Sequence, residues 1–409
     1  MNAGDKGDGR EESTSTKGVS DDPRDLDSAR RPAWVPEDDQ EGFTTKIMSG
    51  VEGGHDGLPG PRTRRRSPRK RPSSRRHLSV DDTVAGILDG DRTILGQAIT
   101  LIESTASEHA SQAQELLLRL LPHTRKSVRV GVTGVPGVGK SSFIEALGLH
   151  LITHGHRVAV LAVDPSSEKS RGSILGDKTR MAELAKQEEA FIRPSPTRGD
   201  LGGVARKTRE TIVLVEAFGC DVVLVETVGV GQSETTVRSM VDFFMLLMLA
   251  GAGDELQGIK RGVTELADAL VITKADGENV HAAEIASAEY TRALRYLAPA
   301  TEGWQTRAHT TSALTGRGVD DVWRVVERFS EIGRASHVFD ARRQSQRVTW
   351  TLAMAEQDIK ESFYRTAEVA DALPKIQDQV ARGEVTAAVA ARTLLDAFYG
   401  ALRDRRPKS

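Results

Sequence analysis

The pattern of apolar and polar positions changes character three times along this chain. Through residues 1 to about 78, Asp, Glu, Gly, Ser, Pro and Arg dominate and apolar anchors are few. Such a segment cannot bury enough surface to offset the entropy of ordering, so disorder is expected there. From Ser79 helical spacing sets in: Val80, Val84, Ile87 and Leu88, then Ile94, Leu95, Ala98, Ile99 and Ile102, punctuated by Asp89-Gly90-Asp91. A second amphipathic stretch, residues 110–121, stops at Pro122, which predicts a small helical extension over 79–123. Short apolar runs then take over. Val128, Val130 and Val132, then residues 157–163, 221–226, 243–250, 270–273 and the short 308–311, read as strands, the longer ones buried. Long connections between them predict an α/β fold over 124–333, with a mostly parallel central sheet flanked by helices. Past Arg334 the helical period returns. Val348, Leu352, Ala355, Ile359 and Phe363 mark one long helix, and Leu373, Ile376, Val380 followed by Val389, Leu394, Leu395, Phe398 mark two more, giving a helical arm over 334–409.

Composition narrows the class. The chain has 409 residues and a formal net charge of -2, so as a whole it carries no strong pull toward nucleic acid or an anionic membrane. Within the first segment, residues 62–76 are densely basic, with Pro68 and Pro72 breaking the run. Its composition favours a solvated charged stretch over a binding site. The lone cysteine, Cys220, leaves no partner for an intramolecular disulfide or a cysteine-based zinc site and suits a reducing compartment. The longest apolar run, residues 243–250, is far short of the roughly 20 residues a membrane helix needs. The acidic start shows neither a signal pattern nor a transit-peptide composition, Met48 leaves a later start open, and the cytoplasm is the default location.

The chemistry begins at Gly134-Val135-Pro136-Gly137-Val138-Gly139-Lys140-Ser141, which meets G-x-x-x-x-G-K-[ST] at every fixed position. A strand leads into it and Ser142 opens a helix, the context of a P-loop NTPase rather than of a chance glycine-rich turn. Glycines let successive backbone N–H groups turn toward phosphate oxygens, and the helix adds its positive end. Lys140 then reaches the β- and γ-phosphates and Ser141 holds Mg²⁺. Two strands end in acids, at Asp164 and Glu226, where ligands bind in open α/β sheets. Glu226-Thr227-Val228-Gly229 has the acid-x-x-Gly arrangement of a metal and γ-phosphate sensor, although strand-end acids also serve as caps. Thr273-Lys274-Ala275-Asp276 closes another strand with the [NT]-K-x-D pattern. A carboxylate at Asp276 accepts from the guanine N1–H and its exocyclic amine, whereas adenine offers an acceptor at N1 and no amine beside it. Two charge-assisted bonds of about 1.5 kcal/mol or more each give at least about a hundredfold preference for guanine. Lys274 packs under the base, and Ser312-Ala313-Leu314 completes the pocket with a backbone N–H. GTP and GDP are thus the expected ligands.

These residues resemble the MeaB- and MMAA-type GTPases, the group that includes the ArgK or LAO/AO transport ATPases. The resemblance runs from about Val80 to the C-terminus. It rests on residues 164–167 (DPSS), 173–181 (SILGDKTRM), 201–205 (LGGVA), 226–234 (ETVGVGQSE) and 251–260 (GAGDELQGIK). It implies a GTPase that escorts adenosylcobalamin-dependent methylmalonyl-CoA mutase, gating cofactor loading and helping to release inactivated cofactor. It implies that Asp164, Asp177 and Glu226 arrange Mg²⁺ with Ser141, so that Lys140, Asp164, Asp177, Glu226 and Gly229 carry catalysis. Switch segments around Ser173, from Glu226 to Glu234 and from Gly251 to Arg261 follow, with Gln257 and Lys260 in the last. The C-terminal arm becomes a homodimer element and an adenosyltransferase a further candidate partner. By its residues alone, the arm also reads as an ordinary packed helix pair, with the dimer favoured, and the 251–261 loop as a plain surface turn. Arg171, Thr273 and Ala250 depart from the usual pattern; Arg171 leaves rate and affinity open, while Thr273, in place of the usual Asn, can still hydrogen-bond the phosphate loop. Gln232 stands too far from Gly229 for a water-positioning glutamine, so hydrolysis is expected to be slow without a partner.

Two other classes compete. Metal delivery uses a related GTPase core, yet the ten histidines are scattered and Cys220 stands alone. A kinase coupled to basic-amino-acid transport would need ATP, against which Asp276 argues. Another cobalamin-dependent acyl-CoA mutase, such as isobutyryl-CoA mutase, remains an alternative client.

Overall fold

The computed structural model describes residues 78–104, 106–124, 127–163, 181–194, 201–227, 233–251 and 261–404, all within one compact unit, Ser74–Ser409. Seven strands form one sheet: β1 (Val128–Gly134), β2 (Val158–Val163), β3 (Ala190–Arg193), β4 (Val222–Thr227), β5 (Phe243–Leu249), β6 (Ala269–Thr273) and β7 (Ala308–Thr310). Their order is β3-β2-β4-β1-β5-β6-β7, and every pair is parallel. A parallel sheet must be covered on both faces, which is why these runs are apolar almost throughout. Alternation along β4 makes the point. Val222 and Leu224 face a core with Phe143, Ile144, Leu147 and Leu151, while Val223 and Val225 face a separate core with Ile87, Leu95, Ile99 and Leu116.

The first of these cores is closed by α4 (Lys140–Thr153), between β1 and β2, and by α9 (Val319–Ala335). The opposite core is closed by α1 (Val80–Leu88), α2 (Arg92–Glu103), α3 (Ser107–Leu120) and α5 (Leu201–Ala217). The starts of α1 and α2 are set locally: Ser79 Oγ accepts from Asp82 N–H, and the Asp91 carboxylate from Thr93 and Ile94 N–H. Short helices α6 (Ser233–Arg238) and α7 (Arg261–Leu266) lead into β5 and β6, and α8 (Val280–Leu294) covers the β5–β6 edge through Ala283, Ala286, Tyr290 and Leu294.

The chain leaves β1 for β2 on one side and, after β4, enters β5 on the other. β1 therefore lies where the strand order reverses, and the crevice outside its carboxyl end is where an open α/β sheet binds ligands.

At the opposite end of the sheet, three C-terminal helices follow α9: α10 (Val338–Arg365), α11 (Ala367–Ala381) and α12 (Ala387–Asp404). The expected long helix and pair are all present. The first turns of α10 are bound to the core by charge. Arg343 donates to both oxygens of Asp242, at 2.8 and 2.5 Å, and to the Ser127 carbonyl at 2.8 Å. Arg342 donates to the Asp242 carbonyl and Thr301 Oγ1, and Gln346 Nε2 to the Val241 carbonyl at 2.9 Å. Asp242 and Asp268, which Arg238 and Arg342 flank, have no exposed side-chain surface.

Candidate functional site

The phosphate loop is shaped by what its neighbours leave no room for. Gly134 has φ of 154°, and a Cβ there would stand 2.6 Å from the Leu247 carbonyl oxygen of β5. Gly139, at φ of 97°, is the cap from which α4 starts. Between them Val138 is buried, Val135 half-buried, and Pro136 and Gly137 are exposed. The first N–H groups of α4, from Lys140, Ser141 and Ser142, have no intrahelical acceptors and open toward the crevice end of β1. Lys140 is buried, and its Nζ donates to the Gly134 and Val135 carbonyls at 2.8 and 3.2 Å, holding the ammonium along the loop.

The oxygen donors expected to hold a metal come from two elements. Ser141 Oγ, in the first turn of α4, donates to Glu226 Oε1 at 3.2 Å. Glu226 is buried near the carboxyl end of β4 because parallel pairing sets it beside Val132 of β1. Just beyond, Thr133 and Thr227 join hydroxyls at 2.7 Å, tying the last residue before Gly134 to the last residue of β4. A hydroxyl and a carboxylate oxygen are hard donors of the kind Mg²⁺ takes from a protein, the remainder coming from phosphates and water.

The segment expected to read the base is attached to the phosphate loop directly. Thr273 Oγ1, at the end of β6, donates to the Val138 carbonyl at 2.6 Å and lies 3.2 Å from the Met248 carbonyl. The expectation that Thr can replace Asn in tying this segment to the loop is thus met by geometry. Lys274 is exposed, and its Cε lies 4.0 Å from where a Gly139 Cβ would be, so its stem runs beside the loop. Asp276 is half-buried and accepts from Ser312 Oγ through Oδ2. Ser312 Oγ in turn accepts from Thr315 N–H at 3.2 Å. The Ala275 N–H donates to the Thr311 carbonyl at 3.0 Å, pairing the two loops. Ala313 is half-buried and Leu314 is 85% exposed, on the open side of the pocket.

The structure therefore brings together Gly134 to Ser142 with Glu226 on one side and Thr273 to Asp276 with Ser312 on the other. Asp164, Asp177 and Gly229 lie outside the described residues, as do Arg171, Gln232, Gln257, Lys260 and the basic run at 62–76. Sequence reasoning misses Thr133 and Thr227, whose pairing depends on strand register, and Asn279, whose amide donates to the Lys274 carbonyl at 2.7 Å. Cys220 has no part in this site. It is buried, and burial pushes its thiol up to about 12, which keeps it protonated and inert.

Comparison with known proteins adds independent findings. Residues 95–368 match the family model described as methylmalonyl Co-A mutase-associated GTPase MeaB. A probable GTPase of Mycobacterium tuberculosis is 53% identical over 320 residues, spanning 77% of this chain and 95% of the relative. The GTPase ArgK of Escherichia coli is 48% identical over 281 residues, 69% of this chain and 85% of that one. Among solved structures, a LAO/AO transport system kinase superposes with a TM-score of 0.63 at 37% identity, covering 79% of this chain and 99% of that chain.

Proposed function

The chain belongs to the family of methylmalonyl-CoA mutase-associated GTPases, and from that premise we propose that its GTPase cycle serves as a chaperone cycle for an adenosylcobalamin-dependent methylmalonyl-CoA mutase. It gates cofactor loading and assists reactivation. The observation that carries the site assignment is the Thr273 hydroxyl bond to the Val138 carbonyl, which ties the proposed base reader to the phosphate loop. Nucleotide identity and phosphate state are then sensed in one frame.

In this reading Lys140 moves from the loop carbonyls onto the β- and γ-phosphates, and the N–H groups at the start of α4 cradle them. Ser141 and Glu226 hold Mg²⁺, with Asp164 and Asp177 supplying the remaining protein oxygens and Gly229 approaching the γ-phosphate. When bound, the cation neutralises charge on the phosphates. Asp276, oriented by Ser312, accepts from the guanine edge, and the Ala313 and Leu314 backbone closes the pocket. Turnover is slow until the partner completes the site.

The helical arm joins two copies. Val348, Leu352 and Ile359 on α10 share one helix face and, with Leu395 and Tyr399 on one face of α12, are exposed large apolar side chains, a surface that a second arm covers. The working division is a tail to residue 78, a helical extension to 123, a GTPase domain to 333 and the arm beyond. The proposed location is the cytoplasm; among the described residues no helix is long and apolar enough to cross a membrane. Adenosyltransferase is a further candidate partner, and another cobalamin-dependent acyl-CoA mutase is the alternative client.

A nucleotide can act on the mutase only if its two states bind that mutase with different free energies. The test is affinity capture of purified mutase by this protein loaded with GDP or with a non-hydrolysable GTP analogue. The account expects different affinities in the two states, and Gln257→Ala with Lys260→Ala narrowing the difference. Equal affinities, with nucleotide occupancy verified, would overturn it.

A further inference from the structure

The turn that presents Asp276 is held in a backbone conformation its residues do not choose. Lys274 has φ of 56°, one of two non-glycine residues with positive φ among those described. In this left-handed region a lysine Cβ crowds the carbonyl that follows, and the conformation persists only where the surroundings over-determine it. It also decides where Asp276 goes. Were Lys274 extended, β6 would run on and carry Asp276 about 6–7 Å farther along the strand direction. The left-handed residue instead breaks the strand, sends Ala275 inward to 2% exposure and brings Asp276 onto Ser312.

Asn279 grips both ends of this turn. Its side-chain Nδ2 donates to the Lys274 carbonyl at 2.7 Å, and its backbone N–H donates to the Asp276 carbonyl at 3.0 Å. Its position makes the first bond informative. Asn279 ends the short 3₁₀ turn Gly277–Asn279 that runs into α8, with αR backbone angles (φ of -82°, ψ of -7°) rather than the extended ones from which an asparagine side chain bonds the first N–H groups of a helix. Here it makes no such bond, and the amide is directed back to the left-handed lysine.

We infer that Asn279 is a positioning residue for guanine recognition: by holding Lys274 left-handed, it fixes the Asp276 carboxylate against the base edge. The inference rests on the reading of Asp276 as the base reader. Asn279 touches no nucleotide itself and acts through the Lys274–Asp276 turn.

The test separates this role from helix capping. Aspartate matches asparagine in size and adds a favourable charge at the positive end of α8, but offers no donor to the Lys274 carbonyl. Asn279→Asp should therefore fold with unchanged or higher thermal stability and still bind poorly. The probes are GDP and inosine diphosphate, which lacks the exocyclic amine, measured by calorimetry on the full chain. In the native protein their dissociation constants should differ about tenfold, one charge-assisted bond. In Asn279→Asp, GDP affinity should fall about threefold to tenfold, the range of one lost hydrogen bond, and the GDP to inosine diphosphate ratio should fall to about threefold or less. Asn279→Ala should lose the same ratio, with lower thermal stability.

A second variant keeps the inference testable should alanine at 279 prevent folding. Glycine occupies φ of 56° without crowding, so Lys274→Gly with Asn279→Ala should fold and retain more of the ratio than Asn279→Asp does. Losing the lysine stem affects both nucleotides alike and leaves the ratio readable. A native-like ratio in Asn279→Asp would overturn the positioning role. No preference for GDP over inosine diphosphate or ADP in the native protein would instead refute the parent reading of Asp276.

Discussion

Replacing Arg343 by methionine should cost far more stability than any exposed ion pair, because it strands a charge in the interior. Asp242 lies just before β5 with no exposed side-chain surface. Its carboxylate takes two N–H groups from Arg343, at 2.8 and 2.5 Å, and one from the Arg129 backbone at 2.9 Å. Methionine fills much of the arginine stem but removes both side-chain donors, leaving an ionised oxygen pair with one backbone partner. Breaking a buried pair in this way costs about 3–5 kcal/mol, since the remaining charge keeps its desolvation penalty and loses its compensation. The Ser127 carbonyl loses its Arg343 donor as well. The assay is urea unfolding of the full chain, native and Arg343→Met, followed by circular dichroism. An internal control is Arg324→Met, which removes pairs to Asp320 and Asp321 at a side chain 65% exposed and should cost under about 1 kcal/mol. Adding Asp242→Asn to Arg343→Met should recover part of the loss, because the stranded charge goes with it. If Arg343→Met costs no more than Arg324→Met, water reaches Asp242 and the clamp holding α10 to the sheet is misread.

Further outcomes follow from the site and the core. Asp276→Asn exchanges an acceptor for a donor at the base edge, so a GDP to ADP affinity ratio of at least about a hundredfold should fall sharply by equilibrium titration; an unchanged ratio contradicts the assignment. Lys140→Ala should abolish most nucleotide affinity by leaving phosphate charge uncompensated, while Glu226→Ala, which removes the partner of Ser141, should spare binding more than turnover; phosphate release at the native rate in Glu226→Ala would remove it from the metal site. Burial raises the Cys220 thiol from 9.0 to about 12, so the folded state keeps a proton that the unfolded state loses. Stability should fall as pH rises through that window, by about 1.4 kcal/mol per unit, and Cys220→Ala should show a shallower decline in the same denaturation series. The native thiol should also resist alkylation at neutral pH until urea is added.

How legible each element is follows from its physical environment. Strands β1, β2, β4, β5 and β6 are buried on both faces, so they appear as apolar runs that nothing else in the chain imitates. β3 is four residues at a sheet edge with only Ala190 and Ile192 buried, too brief to announce itself. α5 hides its period behind buried polar residues. Thr208, Glu210, Thr211 and Glu216 all face inward, and Glu216 does so because Arg129 and Ser127 satisfy it. α8 buries Ala283 and Ala286, small residues that periodicity weighs lightly, whereas α9 carries an ordinary stripe of Val322, Val326 and Phe329. The loop residues and the segment proposed to read the base stand out in the sequence because binding phosphate and guanine would demand particular residue types at fixed spacing. The Thr133–Thr227 bond and the Asn279 amide are not, since they depend on register and on one backbone angle at Lys274.

The central claim is that nucleotide turnover on this GTPase is coupled to a cobalamin-dependent mutase. Its most direct test is the rate of phosphate release from GTP by the purified full chain, alone and with methylmalonyl-CoA mutase from the same cell. The account predicts slow release alone and faster release with the mutase. It also predicts that the variant with both Gln257→Ala and Lys260→Ala keeps the basal rate and loses most of the stimulation. No stimulation by this mutase or by any other cobalamin-dependent mutase of that cell would contradict the coupling, leaving a GTPase without this client.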